Sequence, residues 1–358
     1  MAFNTVVNVT DYGAVGDNAT DDSGAFTSAA AALTSGGIIW VPDGSYKIGA
    51  NVTLGTTIKM VGESSDAKIY IDPGVNFDVY YIQYGLTRLF WSTGNSIVRG
   101  GSNVEWWGAT GDGSTDDTNT INRAMQGVQG WVTFQSGSTY KCQGVDILSG
   151  VYVDLNGATI SAVDDSSGYV LRFSEATDCE LKGGTVQGAG GSGNARINVS
   201  IKGGTNIRLR NVASDDGQDG YYIGAADDGD PAYSTRVLMR NCTSDGAARN
   251  GMSVVSCTAS EFRECTFTGA QGSNPGAGID VEPDNSNDSI SDLLFAGCTT
   301  SDTNTTYGML VTYGGTFASA MDLTIKNCTL DSASKGLEVR NLPAGSVVTI
   351  DQQTKVSY

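Results

Sequence analysis

The chain reads as an all-β solenoid, a stack of short parallel strands closed at its front by helices, and three observations predict it. A glycine followed by a short apolar alternation recurs as Gly220-Tyr221-Tyr222-Ile223, Gly251-Met252-Ser253-Val254, Gly278-Ile279-Asp280-Val281, Gly308-Met309-Leu310-Val311 and Gly336-Leu337-Glu338-Val339, at intervals of 31, 27, 30 and 28 residues. A period between roughly 20 and 50 residues marks units that cannot bury their own apolar face and must stack to form a continuous core. Composition is the second observation: 48 glycines against 6 prolines, with Asn, Asp, Ser and Thr crowded between apolar runs, suits many short strands joined by tight turns. The third is the loss of helical periodicity after about residue 130, where runs such as Val151-Tyr152-Val153-Asp154-Leu155, Tyr169-Val170-Leu171-Arg172-Phe173, Val199-Ser200-Ile201-Lys202 and Ile207-Arg208-Leu209-Arg210 follow one another.

The elements follow in order. At the front, Tyr12-Gly-Ala-Val-Gly-Asp17-Asn-Ala-Thr-Asp21-Asp22 matches Trp107-Gly-Ala-Thr-Gly-Asp112-Gly-Ser-Thr-Asp116-Asp117 at a constant offset of 95. Behind each copy the apolar residues fall at i, i+3, i+4 and i+7: Phe26, Ala29, Ala30 and Leu33, then Ile121, Ala124, Met125 and Val128. Each copy therefore predicts an amphipathic helix, with the preceding Thr-Asp-Asp as N-cap and as negative charge for the first-turn amides. Such a helix laid over the end of a stack covers strand edges that otherwise invite aggregation. The first copy opens a small N-terminal region, residues 1–104, and the second opens the main solenoid, residues 105–358.

Charge and composition exclude several chemistries. With 39 acidic and 21 basic residues the net charge is −18 and the pI near 4.2, so nucleic acid and anionic membranes are poor partners. Histidine is absent, which removes imidazole bases, Ser-His-Asp and Cys-His catalysis and His-ligated zinc. Cys142, Cys179, Cys242, Cys257, Cys265, Cys298 and Cys328 form no CxxC pair. Four of them occupy equivalent places, Asn241-Cys242-Thr243, Glu264-Cys265-Thr266, Gly297-Cys298-Thr299 and Asn327-Cys328-Thr329, which predicts an inward column of free thiols. The first residues enter strand-like sequence at once, and no apolar run is long enough for a signal peptide or a membrane span. Work outside a cell would then require release by lysis or a dedicated assembly route.

The Tyr/Trp-Gly-Ala-x-Gly-Asp motif with its helix resembles the N-terminal cap of right-handed parallel β-helix proteins of the pectate-lyase superfamily. The variant Glu105-Trp106-Trp107-Gly-Ala-Thr-Gly-Asp-Gly-Ser-Thr-Asp-Asp resembles the junction leading into the β-helix of phage tailspikes and related polysaccharide depolymerases. That resemblance implies a right-handed single-stranded parallel β-helix, a host or environmental polysaccharide as substrate, and a homotrimer. The coils Asp216-Gly-Gln-Asp219-Gly220-Tyr221 and Arg249-Asn250-Gly251-Met252 also look like those of alginate epimerases, without that group's histidine motif. The polygalacturonase set, which includes a histidine, is not present either.

A glycan needs a long groove, and a column of outward side chains with rungs about 4.8 Å apart supplies one. With Ile279 and Val281 inward, Asp280 and Glu282 share the outer face, their Cα atoms about 7 Å apart. The same register gives the column Arg172, Ser200 and Lys202, Tyr222, Ser253, Asp280 and Glu282, Leu310 and Thr312, then Glu338 and Arg340. The residues before each glycine add Asp219, Asn250, Ala277, Tyr307 and Lys335, with Asp216 and Arg249 in the turns. Glycoside hydrolysis needs one carboxylic acid and one carboxylate, which makes Asp280 and Glu282 the candidate pair and Asp219 a partner two coils away. Tyr222, Arg249, Lys202, Arg172, Tyr307 and Asp216 are the candidate substrate-binding residues, and Trp106, Trp107, Tyr221, Tyr233 and Tyr313 are further aromatics for sugar stacking.

A lyase or epimerase acting on uronates is the alternative. It would draw its base from Arg249, Arg240, Lys202 or Tyr222, with Ca2+ neutralising the substrate carboxylate. Asp227, Asp228 and Asp230, or Glu282, Asp284 and Asp288, offer oxygen ligands to such an ion; hydrolysis requires no cofactor. A fibre module that binds glycan without cleaving it is the third reading.

Overall fold

The computed structural model describes residues 5–85, 88–92, 97–166, 168–189, 196–226, 232–272, 275–301, 306–314 and 319–357. The fold is a right-handed parallel β-helix with an N-terminal capping helix, and the chain divides into two compact units. Unit 1 holds residues 1–135 and 151–154; unit 2 holds residues 136–150 and 155–358. The expected division at 104/105 falls inside unit 1, between the strand Ile97–Asn103 and the short 3-10 turn Val104–Trp107.

Among the described residues, the strands of the two faces of unit 1 pair in parallel. Val6–Asn8, Gly37–Val41, Ile58–Gly62 and Tyr81–Gln83 form one face, and Asp17–Asp21, Gly44–Ile48, Ala67–Ile71 and Phe90–Ser92 a second. The two front motifs become helices α1 (Ser23–Ala32) and α2 (Thr118–Gly127). Of the predicted stripes, Phe26, Ala29 and Leu33 are buried, as are Ile121, Ala124, Met125 and Val128, while Ala30 is half-buried. Phe26 meets Tyr46 and Phe77 edge-on at 5.8 and 5.7 Å, the approach the ring quadrupoles favour.

The Thr-Asp-Asp segment supplies the cap through one aspartate of each pair. Asp22 and Asp117 occupy the cap positions but make no side-chain cap bond. Their carboxylates instead accept from the loop amides of Val15 and Gly16 (2.7 and 3.3 Å) and of Thr110 and Gly111 (2.8 and 3.0 Å). The residue before each does the capping: Asp21 accepts from Ser23 N and Asp116 from Thr118 N, both at 3.0 Å. Each motif is thus a loop tied to the helix start by two adjacent carboxylates. Trp106 and Trp107, expected as sugar-stacking rings, are core residues at 6% and 2% exposure. Trp107 lies so close to Gly127 that a Cβ there would meet its ring at 2.2 Å.

Unit 2 carries the repeats. Its eight-stranded sheet runs β1 (Val145–Asp146), β2 (Gly168–Ser174), β3 (Arg196–Lys202), β4 (Asp219–Gly224), β5 (Asn250–Val254), β6 (Ala277–Val281), β7 (Tyr307–Val311) and β8 (Lys335–Val339), all parallel and in sequence order. A second face stacks Thr177–Gln187, Thr205–Asp215, Ser234–Arg240, Cys257–Arg263, Ile290–Ala296, Asp322–Lys326 and Val347–Ile350. A third stacks Thr243–Asp245, Thr266–Thr268, Thr299–Ser301, Thr329–Leu330 and Lys355–Val356.

The recurring glycines are required by close approach of one coil to the next. A Cβ at Gly251 would lie 2.6 Å from the carbonyl oxygen of Gly278, at Gly278 2.8 Å from that of Gly308, and at Gly308 2.5 Å from that of Gly336. All seven cysteines are free and buried. The residues preceding the four aligned thiols, Asn241, Glu264, Gly297 and Asn327, share a left-handed backbone (φ 51, 55, 65 and 51°) that turns the chain between the second and third faces. Asn, Gly and a strained Glu at one corner explain why the triplets align in the sequence.

Candidate active site

The register of the eight-stranded sheet places Arg172 beside Ser200, Ser200 beside Tyr222, Tyr222 beside Ser253, Ser253 beside Asp280, Asp280 beside Leu310 and Leu310 beside Glu338. This is the predicted outward column. Ile279 and Val281 point into the core at 0% exposure, and Asp280 and Glu282 line one open cleft of ≈ 510 Å³. Tyr222, Arg249, Tyr307 and Arg340 also line it, with Asp284 and Ser253.

The cleft wall is less open to water than the alternation implied. Asp280 is only 5% exposed, and Ser253 2%. One coil further, the outward Leu310 is fully buried in a cluster with Ala277 and Tyr307, so the column turns apolar beyond the carboxylates. Burial raises the Asp280 pKa well above the ordinary aspartate value, and the neighbouring Glu282 adds to the rise. Its Oδ2 accepts from Asn250 Nδ2 at 3.2 Å, while its Oδ1 is buried without a hydrogen-bond partner. Glu282, half-buried just past the end of β6, is also raised, first by burial and then by Asp284.

Asp219 is corrected from a cleft carboxylate to a buried support. It is 0% exposed and does not line the cleft. Arg249 grips it as a fork, Nε to Oδ1 at 2.7 Å and Nη2 to Oδ2. Ser253 Oγ donates to Oδ2 at 2.9 Å, and the Asn250 amide reaches Oδ1 at 3.4 Å. Hydrogen bonding to Asp219 raises the Arg249 pKa further, so Arg249 is a fixed cation and no base. Asn250, fully buried, links the parts: its Nδ2 donates to Ser253 Oγ (3.0 Å) and to Asp280, and its Oδ1 accepts from Ala277 N at 2.9 Å.

The remaining candidates divide. Tyr222 and Tyr307 reach the cleft, whereas Tyr221 points inward and donates to the carbonyls of Val212 and Thr243 at 2.8 and 3.0 Å. Lys202 stands over the Tyr222 ring at 5.7 Å without lining the cleft. Arg172 is two coils before Tyr222, bound to Asp146 at 2.8 Å and stacked on Tyr169 at 4.2 Å. Asp216 sits in a left-handed turn (φ 56°) off the cleft. Tyr233 is 40% exposed, but neither it nor Tyr313 lines the cleft. Arg240 belongs to another face, paired with Glu264 at 3.1 Å.

Of the proposed cation ligands, Asp227, Asp228 and Asp230 lie outside the described residues. Asp288 turns its Oδ2 to the amides of Asp284 and Asn285 at 3.0 and 2.8 Å, closing a turn. Among the described residues no group of three or more carboxylate or thiol side chains is placed to hold a metal ion. Sequence reasoning gave no role to Asn250 or Arg340, although both stood in the columns it traced. Asn250 was legible only as the partner in register of Asp219.

Residues 6–100 match the family model described as "Rhamnogalacturonase A/epimerase, pectate lyase-like". This front segment is similar to that family. Over 47 residues the chain is 51% identical to Rhamnogalacturonase A of Aspergillus aculeatus, covering 13% of this chain and 11% of that protein. The match therefore spans about a ninth of that relative's length. Among solved structures, a double mutant of the tailspike protein of E. coli bacteriophage HK620 matches at 13% identity and TM-score 0.45, covering 97% of this chain and 66% of that one. The A-module of the mannuronan C-5 epimerase AlgE6 of Azotobacter vinelandii matches at 14% identity and TM-score 0.35, covering 97% and 98%.

Proposed function

We propose that the chain is a polysaccharide depolymerase that hydrolyses glycosidic bonds in the cleft of unit 2. The observation that carries this reading is the unequal pair of carboxyl groups there. Asp280, buried and with one carboxyl oxygen left without a hydrogen-bond partner, keeps its proton to higher pH; Glu282, half-buried and facing Arg340 and Arg249, is the more readily ionised of the two. Two carboxyl groups whose environments separate their roles are what glycoside hydrolysis requires. Asp280 gives its proton to the departing glycosidic oxygen. Glu282 supplies the negative carboxylate for the other half of the reaction, at the anomeric carbon or on the water that attacks it, and one water is consumed per bond broken. Tyr222 offers a ring to the sugar, and Arg249, locked by Asp219, offers a fixed cation beside the acid.

Of the four candidate bases of the lyase or epimerase reading, Arg240 and Lys202 do not line the cleft, and Arg249 is held protonated by its hydrogen bonds to Asp219, which leaves Tyr222. Incubation with a panel of acidic and neutral polysaccharides separates the readings. Hydrolysis yields new reducing ends without ultraviolet-absorbing products; a lyase yields an unsaturated uronate that absorbs; a binding module yields neither. A phage-tail or extracellular setting and a homotrimeric assembly are part of the same proposal. They rest on the likeness of the Glu105–Asp117 segment to tailspike junctions, and a native mass of three chains tests the assembly.

A further inference from the structure

A second line of charge lies away from the cleft. On the second face of unit 2, the register sets Lys182, Arg210, Arg240, Arg263, Ala296 and Lys326 one above another. In a chain with 21 basic residues and a net charge of −18, five cations in six successive coils is a concentration that ordinary surface solvation does not call for. At the corner beside this column, one coil presents only Ala296 and Gly297, and the cations of the neighbouring coils stand on either side. The result is an open groove of ≈ 760 Å³ lined by Arg240, Arg263, Glu264, Thr299, Lys326 and Asn327, among others. Beyond the corner runs a parallel column of hydroxyls, Thr243, Thr266, Thr299 and Thr329.

We propose that this corner groove is a second carbohydrate site, one that holds an anionic polysaccharide by seating a carboxylate- or sulfate-bearing sugar in the Ala296–Gly297 notch. Cations spaced by coil, about 4.8 Å per rung, match a linear polymer whose charged residues recur along its length. Guanidinium groups bind planar or tetrahedral oxyanions through paired N–H donors, and the threonine column meets sugar hydroxyls. All three arginines of the column already hold carboxylates, Arg210 with Glu180 at 3.8 Å and, at the groove, Arg240 with Glu264 at 3.1 Å and Arg263 with Glu261 at 2.6 Å. The two pairs at the groove are solvent-exposed, Arg240 at 60% and Glu264 at 55%, and exposed pairs contribute little, so a ligand anion exchanges with them at small cost. The site would keep the chain on an anionic glycan while the cleft works on the same polymer; it does not depend on what reaction the cleft performs.

Affinity electrophoresis through gels containing polygalacturonate, dextran sulfate or neutral dextran tests it, with each mobility normalised to a glycan-free gel. The full chain is expected to be retarded by one or both anionic polymers and not by dextran, with retardation lost near about 0.5 M salt. The Arg240→Ser, Arg263→Ser, Lys326→Ser variant should bind about tenfold more weakly, equivalent to roughly 1.4 kcal/mol, with an unchanged melting temperature. Ala296→Glu, which fills and acidifies the notch, should weaken binding likewise, and Arg340→Ala in the cleft should leave retardation in place. No retardation of the wild-type chain, equal retardation of the triple variant, or loss in the cleft variant alone would overturn the assignment. So would a drop in native mass in the triple variant, which would make the groove a contact between copies.

Discussion

Asp219 and Asp280 sit on the same sheet, two coils apart, and take opposite characters from what surrounds them. Asp219 is met by a two-pronged guanidinium, a hydroxyl and an amide; Asp280 has one amide hydrogen bond and an unsatisfied oxygen. The folded state therefore prefers Asp280 protonated. Because its folded pKa lies above its unfolded one, its favourable contribution is complete below the unfolded value near 3.8 and is lost as pH rises through the folded value. Asp280→Asn removes that loss. The variant is expected to melt above wild type at neutral pH, by about 2–4 °C per kcal/mol relieved, with the gap closing toward pH 4. Loss of the general acid should at the same time reduce cleavage by about 10²–10⁴. Thermal melts across pH together with initial rates check both. Arg249→Ala leaves Asp219 buried without its cation. Loss of one partner from a buried pair costs about 3–5 kcal/mol; with Arg249 itself 35% exposed, the lower end is expected. Adding Asp219→Asn should recover much of that stability without restoring substrate binding, which a double-mutant cycle in denaturant measures.

At the level of the element, the coil is set by what fits between neighbouring coils. Gly278→Ala drives a Cβ to within 2.8 Å of the Gly308 carbonyl oxygen and of Thr300 Cγ2, so coil separation must increase. Overpacking of this kind costs about 1–3 kcal/mol, and a lowered denaturation midpoint at unchanged m-value is the expected readout. The same spacing made the strands legible. Period-two alternation after each glycine placed Tyr222, Ser253, Asp280 and Glu338 in one column, and the register agrees at every rung. The alternation carries no information about what covers that column. Arg249 and Tyr307 reach the cleft of Asp280 from turn and pre-glycine positions about 30 residues away, and the Arg249–Asp219 grip forms only once successive turns are superposed. The helix stripes were legible for the same periodic reason. Thr-Asp-Asp marked the caps but not which aspartate makes them, because two adjacent carboxylates compete for helix and loop amides.

Across the whole molecule, charge and repetition set the behaviour. A net charge of −18 disfavours nucleic acid, and no helix of the described residues is long and apolar enough to cross a membrane. Stacked coils bury their apolar faces on their neighbours and on little else, so damage to one coil is felt mainly by adjacent ones. For that reason the corner groove and the cleft should respond to substitution independently. The central claim is that a proton kept on Asp280 and a negative Glu282 hydrolyse a glycan in the unit 2 cleft. Its most direct measurement is the release of reducing ends from a susceptible polysaccharide as a function of pH, with ultraviolet absorbance followed in the same digest. The account predicts reducing ends without absorbance, a fall in rate on the alkaline side as Asp280 loses its proton, and a rate lower by about 10²–10⁴ in Asp280→Asn. Absorbing products, or an Asp280→Asn variant that cleaves as fast as wild type, would contradict it.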